Sequence, residues 1–437
     1  MKRVTVVGTG YVGLVSGAGI SDFGHRIICA DIDERKIDRL TQGEIPIYEP
    51  GLKEIVDRNV AAGRLVFTSD VAAAIAQSEI IFIAVGTPQG ENGDADLRAV
   101  FKVARTIGEN LNAPKTICTK STVPIGTGRK ISGIIEETKN NGHSFHYVSN
   151  PEFLREGSAV KDFMHPDRVV IGASHPDAFQ IMREVYRPLY INETPLIETN
   201  VETAETIKYA SNAFLALKIS YMNEMANLCE TVGADVHVVA KTMGSDGRIS
   251  PKFLHPGPGF GGSCFPKDTR ALLSIARNQG LSFRTIQAAV EANEAQKERM
   301  VEKLKKLVGT PLHSATVAVL GLSFKPLTDD VRESASIPMI RKLLDNGARI
   351  QAFDPIANTT MAEIFPDIEY CERWEAAVQN ADVAVIMTDW NEFRGMDLGK
   401  MKDLMKSPRI LDTRNILSMS ELDRLGFQFD NVGRSGH

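Results

Sequence analysis

The feature that most constrains this chain lies in residues 1–31. A β-branched run, VTVV at residues 4–7, passes into Gly8-Thr9-Gly10-Tyr11-Val12-Gly13, then an apolar helical stretch, then a second strand-like run, RIICA, followed by Asp31. Two parallel strands need a crossover of this kind, and a helix packed back on the sheet supplies it. The glycine spacing adds a chemical reading. The first glycine permits a tight turn, the second admits a pyrophosphate to the main chain, and the third lets helix and strand pack closely. The helix start offers unpaired N–H groups and a positive partial charge. Asp31 can accept hydrogen bonds from both ribose hydroxyls and would repel a 2′-phosphate, so NAD is favoured over NADP, with Tyr11 and Val12 completing the cofactor loop. The competing possibility is a tight turn in a sheet that binds something else.

The rhythm continues. Runs at 79–85 (EIIFIAV), 116–121 (TICTKS), 146–149 (HYVS) and 168–172 (RVVIG), with helical segments 70–77 and 97–111 among them, indicate βαβ units and a parallel sheet. From Val201 to Val232 apolar residues at 207, 210, 214, 217, 221, 225, 228 and 232 recur every three or four positions without glycine or proline, which predicts one helix. At 1.5 Å per residue it would span about 48 Å, long enough to bridge two domains or to form a dimer seam. After residue 313 the βα pattern restarts with ATVAVLGLSF, ARIQAFDP, DVAVIMTD and RILDTRN. The expected division is therefore 1–200, 201–310 and 311–437. The restart carries Gly321 but not the later glycines, so a second dinucleotide is not expected there. Lys325 and Arg332 place cations near that turn, where a nucleotide diphosphate could sit; a solvated basic pair is the alternative.

Composition excludes several classes. The chain has 437 residues, 43% of them hydrophobic, enough for two or three cored domains. Net charge is -5 with dispersed lysines and arginines, so no nucleic-acid partner is expected. No run of 18 apolar residues and no signal-like leader occur, which reads as a cytoplasmic, globular protein with no membrane partner. Five cysteines without a CxxC suggest neither a disulfide framework nor a metal site.

Four of those cysteines, Cys29 and Cys118 in strand-like runs, Cys229 on the long helix and Cys371 before a helical segment, read as small hydrophobes in or near cores. Cys264 differs. It lies in PGFGGSCFPKD, residues 258–268, where Gly259, Gly261 and Gly262 let a ligand approach the main chain and Pro266 suits the first turn of a helix over 267–279. A cysteine at that helix start, near Lys267, is favoured as thiolate. Asp268 follows one turn later and could orient water or accept a proton. The alternative is a structural glycine turn with an incidental thiol. With NAD, an activated thiol points past simple alcohol–carbonyl interconversion, because a thiolate becomes useful when an aldehyde must itself be oxidised through a thiohemiacetal and thioester.

Together GTGYVGLV, EIPIYEPG (44–51), VGTP (85–88), KSTVPIGT (120–127), SNPEFLREGSAVKDF (149–163), KYASNAFLALKIS (208–220), GFGGSCFPKD and FKPLTDDVRES (324–334) resemble the UDP-glucose/GDP-mannose dehydrogenase family from residue 1 to about 415. The resemblance implies an α/β fold: two Rossmann-like parallel-sheet domains joined by a long central helix, with a small helical middle domain. It also implies oxidation of a nucleotide sugar's C6 hydroxymethyl to a carboxylate with reduction of two NAD. The sequence looks more like the branch acting on UDP-glucose; GDP-mannose or another nucleotide sugar is the alternative, and a homodimer or higher homo-oligomer is implied.

Residue by residue, Cys264 resembles the family's thiol nucleophile and Asp268 the aspartate that works with it on water. Lys208 and Asn212 resemble the pair that holds the oxyanion, although Lys208 alone would read as an exposed lysine. Glu152 resembles a glutamate that moves a proton through water, and Thr87, Thr122 and Glu156 resemble cofactor-proximal residues. Phe153, Leu154, Arg155, Glu156, Phe253, Gly261, Lys325 and, from a neighbouring subunit, Arg248 resemble contacts to the UDP-sugar, joined by Glu152, Lys208 and Asn212. Arg332 resembles a cofactor contact from the third region and Lys36 one near the adenosine ribose. His255 stands at a phosphate-contact position, and Arg414 is placed by DTRN.

Overall fold

Parallel strand pairing organises both parts of the chain. The computed structural model describes residues 1–90, 93–140, 142–309 and 311–434. They form two compact units, Met1–Ser211 and Asn212–His437. Among the described residues no helix is long and apolar enough to cross a membrane.

The first unit holds β1 (Arg3–Val7), β2 (Arg26–Ala30), β3 (Leu65–Thr68), β4 (Ile80–Ile83), β5 (Lys115–Thr119), β6 (Phe145–Ser149), β7 (Val169–Ala173) and β8 (Leu196–Thr199). They are ordered β3-β2-β1-β4-β5-β6-β7-β8. The first six follow the doubly wound order 3-2-1-4-5-6, whose switch point between β1 and β4 is where such sheets bind ligands. Central strands are buried on both faces. Val4 and Val6 join one core with Leu14 and Phe82, while Val7, Ile81 and Ile83 join another with Ile107 and Ile131.

One strand departs from the expected parallel sheet. β7 runs antiparallel to β6, with Val148 opposite Ala173 and Ser149 opposite Gly172. The physical reason is the connection: residues 150–168 hold only the short helix Ala159–Met164, and the chain turns back without crossing a sheet face. Consequently the connecting segment that contains residues 152–156 begins and ends at the carboxyl edge of β6.

The second unit holds β9 (Thr316–Leu320), β10 (Arg349–Phe353), β11 (Glu369–Tyr370), β12 (Val383–Ile386), β13 (Arg409–Asp412) and β14 (Gln428–Asn431). Their order, β11-β10-β9-β12-β13-β14, repeats the doubly wound pattern, and every pair is parallel. Helices Val236–Gly244, Phe265–Asn278 and Arg284–Val308 precede this sheet.

The predicted long helix is present as Val201–Val232, 32 residues without interruption. Its burial corrects the sequence reading. Phe214, Tyr221, Leu228 and Val232, members of the expected apolar stripe, are exposed, Phe214 at 60%. The buried face instead carries Asn212, Ala213, Ala216, Ser220, Met222, Asn223, Ala226 and Cys229. Small and amide side chains let neighbouring backbone approach closely and accept its hydrogen bonds, so periodicity alone selects the wrong face; the Asn223 carbonyl oxygen, for example, accepts from the Gly257 N–H at 2.8 Å.

Candidate active site

In the first unit the glycine loop is built as its spacing requires. Gly8 sits at φ +102, a conformation open to glycine, and its N–H donates to Ala30 O at 2.8 Å. A Cβ at position 13 would stand 1.8 Å from Gly8 O, so only glycine lets helix Tyr11–Asp22 start there. A Cβ at Gly10 would meet nothing within 4 Å, which leaves main chain facing open space as a pyrophosphate needs. Asp31 Oδ2 accepts from the Thr9 N–H and hydroxyl, both at 2.8 Å, Oδ1 accepts from the Asp33 N–H at 3.1 Å, and Lys36 Nζ lies 3.4 Å from Oδ2. Burial opposes ionisation of Asp31, yet the Thr9 and Asp33 donors and the Lys36 charge outweigh it and hold the carboxyl below its usual range. A fixed carboxylate at the end of β2, an open glycine and a helix N-terminus fit NAD.

The neighbouring loops are tied to this one. The Tyr11 hydroxyl donates to Glu49 Oε2, which also accepts from the Gly157 N–H at 2.7 Å, and burial, followed by the Glu49 hydrogen bond and then its charge, pushes the phenol far above its ordinary value. Glu156 lies close enough to add to that shift. The Thr87 hydroxyl donates to Thr122 O at 2.8 Å, joining the segments that leave β4 and β5.

Glu152 and Lys208 form a buried pair in the same unit. Lys208 Nζ donates to Glu152 Oε1 at 2.8 Å and to Glu152 O at 2.7 Å, and the two side chains are 4% and 5% exposed. Glu152 Oε2 accepts from the Leu154 N–H at 2.5 Å. The Lys208 ammonium lies 5.4 Å from the Phe153 ring centroid, and the Arg168 guanidinium lies 3.8 Å from it. Arg155 is committed to Asp162, 2.6 Å away.

In the second unit Cys264 is the N-cap residue of helix Phe265–Asn278, with Pro266 in the first turn. None of the five cysteines is in a disulfide; Cys264 is half-buried and the other four are buried. The Asp268 N–H donates to Cys264 O at 2.8 Å, and the Asp268 side chain is 1% exposed. Its carboxylate is gripped at both oxygens: Lys267 Nζ donates to Oδ1 and Asn212 Nδ2 to Oδ2, each at 2.6 Å. The Lys267 charge is therefore committed to Asp268. Asn212 follows Lys208 by one turn of the long helix.

The glycines before Cys264 are held by partners that sequence reasoning missed. Asn293 bonds both the N–H and the O of Phe260, Gln296 donates to Gly257 O, and Gly262 N–H donates to Arg332 O at 2.8 Å. A Cβ at Gly261 would stand 2.3 Å from Glu333 O. Phe253 sits at φ +65 with its ring 6.0 Å from that of Phe265.

Arg248 is exposed and paired with Asp246; His255 is exposed. Lys325 lies over the Phe324 ring and Arg332 is paired with Asp330. Arg414 is half-buried and donates to Met387 O and Phe324 O, which makes it a brace for the loop after β9. That loop repeats the first in outline: Gly321 has φ +95 and Asp354 occupies the position of Asp31. Asp354 Oδ2, however, already accepts from the Leu322 and Ser323 N–H groups, the Ser323 hydroxyl and the Trp390 indole. Its Oδ1 accepts from the Ile356 and Ala357 N–H groups, so both carboxylate oxygens are already engaged.

Two doubly wound sheets, one with a dinucleotide loop, and a helix-capping thiol define a nucleotide-dependent dehydrogenase. Residues 2–190 match the NAD binding domain of the UDP-glucose/GDP-mannose dehydrogenase family, residues 202–295 its central domain and residues 318–419 its UDP binding domain. The chain belongs to that family. It is 49% identical over 435 residues to UDP-glucose 6-dehydrogenase TuaD of Bacillus subtilis, covering 99% of this chain and 94% of that one. It is 48% identical over 437 residues to UDP-glucose 6-dehydrogenase of Rhizobium meliloti, covering 99% of each. A UDP-glucose dehydrogenase structure from Pyrobaculum islandicum superposes with a TM-score of 0.93 at 37% identity, covering 100% of this chain and 98% of that one.

Proposed function

We propose that the chain oxidises UDP-glucose to UDP-glucuronate: UDP-glucose, two NAD+ and water give UDP-glucuronate, two NADH and two protons, with a third proton released as the acid ionises. The observation that carries this reading is Cys264 capping a helix one turn before buried Asp268, in a chain that also has an NAD-binding domain. When bound, NAD supplies the acceptor for both hydrides.

The protein's own residues account for the rest. The Cys264 thiolate forms a C–S bond to the aldehyde carbon, and the carbonyl electron pair moves to oxygen, where Lys208 and Asn212 would stabilise it. Once the carbon reaches the thioester level, water attacks it, the C–S bond breaks and sulfur leaves as thiolate. Asp268 accepts the proton from that water. Glu152, ion-paired with Lys208, is assigned to pass the proton of the first alcohol oxidation on through water. Phe153, Leu154, Arg155, Glu156, Phe253, Gly261 and Lys325 are assigned to the UDP-sugar, Arg332, Lys36, Thr87 and Thr122 to the cofactor.

The division into residues 1–200, 201–310 and 311–437 assigns these tasks to a cofactor region, a central helical region and a UDP-sugar region. We place the enzyme in the cytoplasm as a homodimer or larger homo-oligomer. Exposed Phe214, Tyr221 and Leu228 on one helix face support association, as does Arg248, whose proposed target is a neighbouring subunit's UDP-sugar.

A nucleotide-sugar panel followed by NADH absorbance tests the substrate. UDP-glucose is expected to give the highest kcat/KM. Faster turnover of GDP-mannose or a UDP-N-acetylhexosamine would overturn the assignment.

A further inference from the structure

Lys120 follows β5 at the carboxyl edge of the first sheet and is 5% exposed. A lysine is almost never buried unless something holds it. Its Nζ donates to Asn150 Oδ1 at 3.1 Å and to the Tyr186 hydroxyl at 3.3 Å. The Tyr186 hydroxyl also donates to Asn150 Oδ1, at 2.6 Å. Asn150 in turn is locked at three other points. Its Nδ2 donates to Val170 O at 2.7 Å, its N–H donates to Thr119 O at 2.9 Å, and Ser149 before it ends β6. The next residues are Pro151 and Glu152, and Glu152 carries Lys208. Every link from Lys120 to Lys208 is therefore a named bond or an adjacent peptide within one unit.

We propose that Lys120 is a positioning residue for the oxidation: its ammonium fixes Asn150, and through the Asn150-Pro151-Glu152 turn it keeps the Glu152–Lys208 pair in register. The proposal rests on the role given above to Lys208. Lys120 touches neither substrate nor cofactor in this account, and its neighbours explain why a charge is kept there. Tyr186 and Asn150 offer oxygens, Glu152 an opposite charge, Lys208 a like charge, and Cys118 a neutral buried thiol. Burial pushes the ammonium down to about 8, with Lys208 adding to the fall and Cys118 and Glu152 opposing it. Loss of that proton turns charge-assisted bonds to Asn150 into weaker neutral ones.

The sign for stability runs opposite to the sign for activity. A lysine whose folded value lies near 8, against an ordinary 10.5, makes the folded state bind fewer protons than the unfolded chain between those values. Removing the ammonium should therefore not destabilise the fold at neutral pH, since a buried charge is replaced by a side chain of similar length. Asn150 Oδ1 keeps the Tyr186 donor in that variant.

The test is Lys120→Met in the full chain. Expected are a melting temperature at or above the native one, a kcat for UDP-glucose lower by about tenfold to a hundredfold, as displacement of a reacting group costs, and a KM for NAD close to native. Native kcat should fall as pH rises through about 8, and the variant should lack that component. An unchanged kcat, a normalised pH profile superimposable on the native one, or melting well below native would overturn the proposal. The native enzyme in the same assay separates the two claims: native acid formation with an unaffected variant refutes Lys120 alone, whereas no native acid formation refutes the underlying reading and this proposal with it.

Discussion

Cys264→Ala is expected to lower UDP-glucuronate formation by roughly ten-thousandfold or more, the scale on which loss of a covalent nucleophile acts. UDP-glucose affinity should stay close to native, because the half-buried sulfur contributes bonding only once the carbonyl is attacked. The fold should persist as well. Residue 264 is an N-cap without a side-chain cap bond, and its main-chain O, which accepts from the Asp268 N–H, survives the substitution. The check is steady-state acid production together with equilibrium binding of UDP-glucose. Unaltered turnover would remove the thiol from the mechanism.

Lys208→Ala should act through kcat more than through affinity, by about a hundredfold to a thousandfold, since a donor aimed at a developing oxyanion strengthens in the transition state. A second effect is built into the structure. Lys208 is the ion-pair partner of Glu152 in a pair whose side chains are 4% and 5% exposed. Removing it leaves an uncompensated buried carboxylate, at a cost of about 3 to 5 kcal/mol. Melting and kinetics measured together separate the effects: a kcat loss that persists where the variant is fully folded supports the oxyanion role, and equal losses in kcat and affinity argue against it.

Much of the fold was legible because the central strands of both sheets are buried on two faces and must be apolar and β-branched. The strands that escaped notice, β3, β8, β11 and β14, are the edges of the two sheets. Edge strands face solvent, and LIET, EY and QFDN carry the polarity that this allows, while LVFT is apolar but only four residues long. The long helix shows the converse: its extent followed from the absence of breakers, while its buried face did not follow from hydrophobicity, because Asn212, Ser220 and Asn223 are inside and Phe214 is outside.

The site divides in a similar way. Gly8, Gly10, Gly13 and Asp31 announce themselves within one strand–helix–strand unit, and Cys264 does so through its own flanking glycines and Pro266. Glu152 and Lys208 lie 56 positions apart, and Lys120 lies 66 from Tyr186. Nothing local marks such partners. Only the resemblance pointed to Lys208; Lys120 and Asn150 stood in its motifs without a role, and nothing pointed to Asn293 or the carboxylate of Glu205, which accepts from the Gly126 and Gly128 N–H groups at the start of helix Thr127–Thr138.

The most direct measurement is the amount of NADH formed per UDP-glucose consumed at complete reaction. Capture of an aldehyde by Cys264 and its oxidation to the thioester require two NADH for each sugar, with UDP-glucuronate as the product. A ratio of one, with an aldehyde or ketone accumulating, would contradict the account.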